Sequence, residues 1–453
     1  MGHRPNQARA AQRVSAGRLR GFALFLAAAA FLGLALAALT VPVPSGAAAA
    51  QAGKFFFHDG DSPIVFLGDS ITEQRMYTTY IETYVLTRFP KWTVTFRNIG
   101  WGGDTVWLSQ RRNFEAGVRR DILPLHPKAI TIDFGMNDAR GGDGNYAKYI
   151  NYSAQLARGL KETGVRVALL TPSPEERYEA GQPAGSGYNS MLAKYSQGLQ
   201  GVAAKEGVLF VDQFSPFVRV IEDGRKAGVL GAAGNPRLVP DGVHPNWAGH
   251  LVMAAAILKG LGAPALVSHL EINAAAAKVK AAQGCAAEIL DGAGEGVLAF
   301  RRADDCLPWP IQPEAALVLK VPGFTPLADL SLYDLKVTGL KAAQYDLAID
   351  DQKVGTFTKE DLARWVNLTL QAGPITAQGA QLLRAVVEKN NLFFDRWRRT
   401  LVPNLPESLN EADIPADARE KLAQADQAIA EKEKQINALR LPAPHVFKLT
   451  PAL

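Results

Sequence analysis

At 453 residues, with 47% hydrophobic and 21% charged side chains, the chain is long enough for two or three domains and a sizeable core. Its formal charge of +5 comes entirely from five arginines within residues 1–50, a stretch with no lysine, aspartate or glutamate, so the remainder is neutral. That distribution argues against a nucleic-acid partner, which needs a basic face on the folded body.

Residues 1–50 read as an export segment. A basic stretch ends at Arg20, an apolar run follows from Gly21 to about Val43, and the small residues SGAAAAQA suit a signal peptidase. The run is also long enough to cross a bilayer, so an uncleaved anchor is the alternative. On either reading the body is expected outside the cytoplasm, periplasmic or secreted, with the anchor as its one membrane contact.

From Pro63 to about Gly262, short apolar runs alternate with longer helical stretches. The predicted strands are Ile64–Leu67, Thr93–Arg97, Ala129–Phe134, Val165–Leu170 and Val208–Val211. The predicted helices are Thr79–Arg88, Tyr146–Thr163, Ser190–Glu206 and Trp247–Leu261. Near-continuously apolar strands separated by helices predict a parallel α/β sheet covered on both faces. Ligands of such sheets sit beyond the carboxyl ends of the strands.

After Pro264 the pattern changes. Residues 267–283 are alanine-rich and predict a helix. Shorter alternating segments follow at Gly296–Phe300, Ala316–Val321, Leu330–Val337 and Tyr345–Ile349, with a hairpin turn over Ile349–Gly355. Two helices, Thr376–Arg399 and Ala416–Arg440, carry apolar stripes and predict an antiparallel pair. Cys285 and Cys306 are the two cysteines. In an oxidising compartment they read as a bridge, the alternative being two buried thiols; their spacing suits no metal.

Four short segments carry chemistry, three of them just after predicted strands. Gly68-Asp69-Ser70 places a serine at a strand-to-helix turn, either as a nucleophile or as a helix cap. Asp241-Gly242-Val243-His244, stiffened by Pro240 and Pro245, offers a carboxylate able to fix an imidazole tautomer, or merely a capped surface turn. Gly102-Gly103-Asp104 lets backbone N–H groups approach a developing oxyanion, and Gly135-Met136-Asn137-Asp138 supplies a side-chain amide. Together they predict a serine esterase: Ser70 attacks, His244 moves the proton and Asp241 orients it. The N–H groups of Ser70 and Gly103 and the amide of Asn137 hold the charge. Trp101, Trp107 and Tyr188, with the Thr171–Tyr188 loop, are candidate substrate contacts, the alternative being packing; the C-terminal module shows no obvious aromatic platform beyond Trp309 and Trp365, either of which reads equally as core.

Val65–Gln74, Asn98–Thr105, Asp133–Asp138 and Asp241–Pro245 resemble the first, second, third and fifth blocks of the SGNH, or GDSL-type, hydrolases, with Ile71 where the name has leucine. The resemblance spans roughly Pro63 to Gly262. It implies a three-layer α/β/α, flavodoxin-like domain and metal-free, cofactor-free ester hydrolysis, with Ser70, Gly103, Asn137, Asp241 and His244 in the family roles. The expected organisation is a signal peptide or anchor over 1–50, the hydrolase domain over 54–265, a small β-rich module over 266–370 and a helical pair over 371–453. The expected substrate is a short acyl ester, foremost an O-acetyl group on a carbohydrate, with a general aryl or short-chain ester or a lysophospholipid as alternatives. A non-catalytic glycan- or cell-wall-binding protein on the same scaffold is the rival class, and a glycan or protein partner is possible for the C-terminal module.

Overall fold

A computed structural model describes residues 55–452, apart from 178–186, 232–235, 292–293, 407 and 409. The export segment and part of the Thr171–Tyr188 loop therefore lie outside the described residues. Among the described residues, no helix is long and apolar enough to cross a membrane.

The first layer system is a five-stranded sheet of β1 (Ile64–Gly68), β2 (Phe96–Asn98), β3 (Ala129–Asp133), β4 (Arg166–Leu170) and β5 (Leu209–Val211). Its order is β2-β1-β3-β4-β5, all parallel. β1 and β3 are buried at every position, as strands covered on both faces must be. The covering helices include Met76–Arg88, Asp143–Glu162, Tyr188–Glu206 and Trp247–Gly260, close to the sequence expectation. Phe214–Lys226 is a further helix, beyond those the sequence predicts.

The segment read as an alanine-rich helix is instead two strands, β6 (Leu266–Asn273) and β7 (Lys278–Gln283), joined by a tight turn. Alanine is the best helix former, but intrinsic propensity decides little against tertiary pairing, and parallel pairing of β6 with β10 (Leu332–Thr338) overrides it. Between them lie β8 (Cys285–Leu290) and β9 (Leu298–Asp304). Ala316–Val321 is likewise not a strand. It holds a short 3₁₀ turn whose Val318, with Val321, is buried in the same core as the parallel sheet.

β11 (Gln344–Ile349) and β12 (Gln352–Thr358) form the expected hairpin, with Asp350 and Asp351 both at positive φ. β13 (Val366–Asn367) completes a four-stranded sheet, β13-β10-β6-β7. The second β sheet runs β12-β11-β14-β9-β8. Its central strand β14 (His445–Pro451) comes from the far end of the chain, after the helical pair. The two sheets share one core, including Ile272, Phe300, Leu335, Leu347 and Phe447.

The helices Pro374–Phe394 and Ala416–Leu439 run antiparallel, as Lys432 to Glu388 and Arg396 to Asp426 ion pairs show. They leave and rejoin the β module, yet Leu382, Val386, Phe393, Trp397, Ile429 and Ile436 are buried in the core of the parallel sheet. Lys389 is buried with Glu82 of Met76–Arg88, Nζ to Oε1 at 2.7 Å, and Asn390 Nδ2 donates to the other carboxylate oxygen at 3.0 Å.

Cys285 and Cys306 are free thiols, contrary to the bridge expected. Each Sγ lies on a different carbonyl of β6, His269 O at 3.7 Å and Val267 O at 3.6 Å. Burial pushes the Cys306 thiol up to about 11 and raises that of Cys285.

Candidate active site

Three of the four segments follow the carboxyl ends of β1, β2 and β3, and the fourth precedes the helix Trp247–Gly260. Gly68 ends β1 because nothing larger fits: a Cβ there would lie 2.1 Å from Thr72 Oγ1 and 2.6 Å from the Asp133 carbonyl. Asp69 caps the short helix Ser70–Glu73, its Oδ1 accepting from Ile71 N–H at 2.9 Å. Burial and the neighbouring Asp133 raise the Asp69 carboxyl well above its ordinary value. Ser70 is thus the first helical residue and not the cap, and its N–H has no partner within the helix.

The second segment lies on this helix. A Cβ on Gly100 would sit 2.2 Å from the backbone nitrogen of Glu73. Trp101 N–H donates to Gly68 O at 3.0 Å, and Gly102 N–H to Glu73 Oε2 at 3.0 Å. Gly103 has φ +73°, a conformation that glycine adopts without strain. Asn98 staples the segment, its Nδ2 donating to Thr72 O at 2.8 Å and its Oδ1 accepting from Gly100 N–H at 3.0 Å.

Asp104 is buried and accepts from the N–H groups of Thr105 and Gln110 and from Arg111 Nε at 2.7 Å. Arg111, fully buried, also donates to Asp121 Oδ2 at 3.1 Å and Ile99 O at 2.6 Å. The sequence reading missed this arginine, since a single sequence gives no sign of which of its arginines is enclosed.

Asn137 is tied to the second segment: its Nδ2 donates to Asp104 O at 2.9 Å. An amide nitrogen carries two hydrogens, so one remains for an oxyanion. Asp138 accepts from Val106 N–H at 2.9 Å and Gly135 N–H at 3.0 Å, locking the two loops together. Burial holds its carboxyl up at about 7.

The last segment closes the arrangement. His244 Nε2 lies 2.8 Å from Ser70 Oγ, and its Nδ1 lies 2.7 Å from Asp241 Oδ2. The other oxygen of Asp241 accepts from the N–H groups of Val243 and His244, at 2.8 and 2.7 Å. Burial works to raise the Asp241 carboxyl, but these hydrogen bonds outweigh it and hold it at about 2. An ionised carboxylate only accepts, so Nδ1 carries the proton and Nε2 is free to take one from Ser70.

Further residues support this loop. Glu176 Oε2 accepts from Leu238 and Val239 N–H at 2.8 and 2.9 Å. Gln74 Nε2 donates to Pro245 O at 3.3 Å, and His250 Nε2 lies 3.1 Å from Gln74 Oε1. His250 Nδ1 accepts from Tyr77 N–H at 3.3 Å; burial pushes this imidazole down to about 3, with His244 adding to the effect. His250 is therefore a neutral structural donor.

The aromatic substrate candidates differ in fate. Trp101 offers no face for a sugar ring: it is buried, and the Arg398 guanidinium sits 3.6 Å from its ring centre. Trp107 lies under Lys148 Nζ at 4.0 Å and beside Tyr152. The Tyr188 hydroxyl donates to Met136 O at 2.6 Å, bracing the residue before Asn137. Trp309 is core, its indole N–H on Tyr80 O at 3.0 Å; Trp365 is 45% exposed beside His269.

Residues 66–252 match the GDSL-like Lipase/Acylhydrolase family. The chain is 26% identical over 223 residues to an acetylxylan esterase of Geobacillus stearothermophilus, covering 44% of this chain and 93% of that protein. Among solved structures, a gut microbial diltiazem-metabolizing enzyme superposes with a TM-score of 0.73 at 24% identity, over 87% of this chain and 98% of that one. That similarity of fold includes the C-terminal half. The Geobacillus stearothermophilus acetylxylan esterase structure aligns over 46% of this chain and 97% of its own, with a TM-score of 0.38 at 23% identity. With the family match and the esterase relative, the chain is a carboxylic ester hydrolase whose residues 66–252 form a GDSL-like lipase/acylhydrolase domain.

Proposed function

We propose that the chain removes short acyl groups, foremost O-acetyl, from carbohydrate through a Ser70 acyl-enzyme. The observation that carries the mechanism is the continuous pair of contacts from Ser70 Oγ through His244 to Asp241, at 2.8 and 2.7 Å. His244 Nε2 takes the hydroxyl proton as Oγ attacks the ester carbonyl. The oxyanion is held by the N–H groups of Ser70 and Gly103 and by the free hydrogen on Asn137 Nδ2. The alcohol leaves with the proton from His244. Water, deprotonated by the same imidazole, then releases the acid. Asp241 stays ionised throughout and stabilises the imidazolium.

The carbohydrate part of the proposal is supported by the acetylxylan esterase relative and by the openness of the site. Asp241 and His244 side chains are 58% and 37% exposed, so a bulky alcohol can approach the bond being cut. Export to an extracytoplasmic compartment, where polymeric glycans are met, fits the N-terminal sequence.

Ser70→Ala is expected to abolish turnover and fluorophosphonate labelling while leaving the melting midpoint within about 2 °C, as for a half-buried side chain that loses one hydroxyl. Retained turnover in pure variant protein sinks the mechanism. Parallel rates on acetylated xylan, a nitrophenyl acetate and a lysophospholipid test the substrate class. Preference for lysophospholipid would overturn the carbohydrate assignment alone, and inertness of intact enzyme toward all three would favour the binding-protein reading.

A further inference from the structure

We propose that Arg398, from the C-terminal helical pair, is a positioning residue of the esterase site, acting through Glu73 on the Trp101-Gly102-Gly103 loop. The inference rests on the serine-esterase reading above and adds a part of the chain that lies outside the matched family segment.

The loop needs outside support. Two adjacent glycines carry no side chains to fix their own backbone, and glycine is the most permissive residue. The helix Ser70–Glu73 on which the loop lies is four residues long, too short to be rigid alone. Yet an oxyanion donor must be held close to its productive place.

The C-terminal segment supplies that support at both ends of the Trp101–Gly102 unit. The chain from Asp395 to Leu401 winds as a wide π-type helix, and it sets two consecutive residues against one indole. Trp397 meets Trp101 edge-on at 6.0 Å, and Arg398 covers its face at 3.6 Å. Arg398 Nε then lies 3.6 Å from Glu73 Oε1, while Glu73 Oε2 accepts from Gly102 N–H at 3.0 Å. The same carboxylate is thus divided between the arginine and the loop. With Gly102 N–H engaged by Glu73, Gly103 is the next N–H in line for the substrate.

A second route runs from the preceding helix, Pro374–Phe394, through Arg75 to the Glu73 backbone. Arg75 Nη1 donates to Glu73 O, and Arg75 is itself held by Asn391 Oδ1 at 3.1 Å and by the Phe394 ring at 4.2 Å. The helical pair therefore reaches the residue three places after the nucleophile by two routes.

The Arg398–Glu73 pair is about a quarter exposed on each side, 28% and 25%. An ion pair at 3.6 Å, beyond hydrogen-bond length and partly hydrated, adds little to global stability. Its loss should therefore appear in the chemical step and leave folding largely intact.

The test uses the full chain, with kcat and KM on a nitrophenyl acetate, fluorophosphonate labelling rate and melting midpoint. Arg398→Ala and Glu73→Gln are each expected to lower kcat and labelling at least about tenfold with KM within roughly twofold, the sign of an interaction made in the transition state. The double variant should be no slower than the slower single variant. Arg398→Lys should recover part of the rate, and Lys421→Ala, exposed on the second helix of the pair and bridged to Asp417, should match wild type. Raised KM at unchanged kcat in Arg398→Ala, multiplying effects in the double variant, or an equal loss in Lys421→Ala overturns the proposal. Should Arg398→Ala not fold, Arg398→Lys with Glu73→Gln gives the same cycle. Ser70→Ala runs alongside: if it retains turnover the esterase reading fails, whereas an inert Ser70→Ala with a fully active Arg398→Ala removes only the positioning role.

Discussion

Lys389→Met removes the ammonium that meets Glu82 in the interface between the helical pair and the helix Met76–Arg88. Both side chains are nearly inaccessible, at 1% and 5%. Methionine keeps the volume, so the perturbation is electrostatic. It leaves the carboxylate with Asn390 Nδ2 as its remaining close donor. Breaking a buried pair from one side costs about 3–5 kcal/mol. Over the roughly 400 residues of Gln51–Leu453 the unfolding entropy is about 0.8 kcal/mol/K, so the midpoint should fall by about 4–6 °C.

The loss has a pH signature. Burial already raises the Glu82 carboxyl, with Lys389 opposing it, and removing the lysine raises it further. A carboxyl with a raised folded value takes up a proton in the native state and contributes stability below its unfolded value, which is lost as pH rises. The destabilisation should therefore be largest near pH 8 and shrink toward pH 5. Calorimetry at both values measures it, and Lys389→Met with Glu82→Leu should recover most of the loss, because two apolar groups replace the pair. A loss under about 1 kcal/mol, independent of pH, would mean the pair is hydrated and the helix is not seated as described.

Two other outcomes follow from single positions. Burial pushes the Asp133 carboxyl up to about 7, against the hydrogen bond from Gln213, so its contribution is complete below about pH 4 and lost as pH rises through 7. Asp133→Asn should flatten the fall in urea stability between pH 5 and 8 by on the order of 2–4 kcal/mol; parallel profiles for the two proteins would contradict the assignment. Gly100→Ala places a Cβ 2.2 Å from the Glu73 backbone nitrogen, with no side chain to move aside. The second loop must then lift off the nucleophile helix, and kcat should fall by roughly a hundredfold or more; wild-type turnover in a folded variant would show that this contact is not needed.

Much of the site could be read in the sequence because its chemistry is local. Asp241 and His244 are three residues apart, and their hydrogen bonds form within one turn. Gly68 answers in part to its near neighbour Thr72, whereas Gly100 answers to the backbone of Glu73, a contact the motif does not display. The parallel strands were legible because strands buried on both faces must be apolar throughout. Strands β6 and β7 were not, because alanines record no face, and the partner that makes β6 a strand lies some sixty residues away in β10. Cys285 and Cys306 looked paired from compartment alone, but each thiol meets its own carbonyl on β6.

The sequence on its own marks the chain as an esterase and names the candidates for nucleophile, base, acid and oxyanion donors, each in a short segment. Tertiary structure alone decided what stands around that machinery. It enclosed Arg111 between Asp104 and Asp121, covered Trp101 with Arg398, and threaded the last strand into the middle of a sheet after the helices had crossed to the catalytic core. Those outcomes depend on which distant surfaces exclude water together, and no local spacing encodes them.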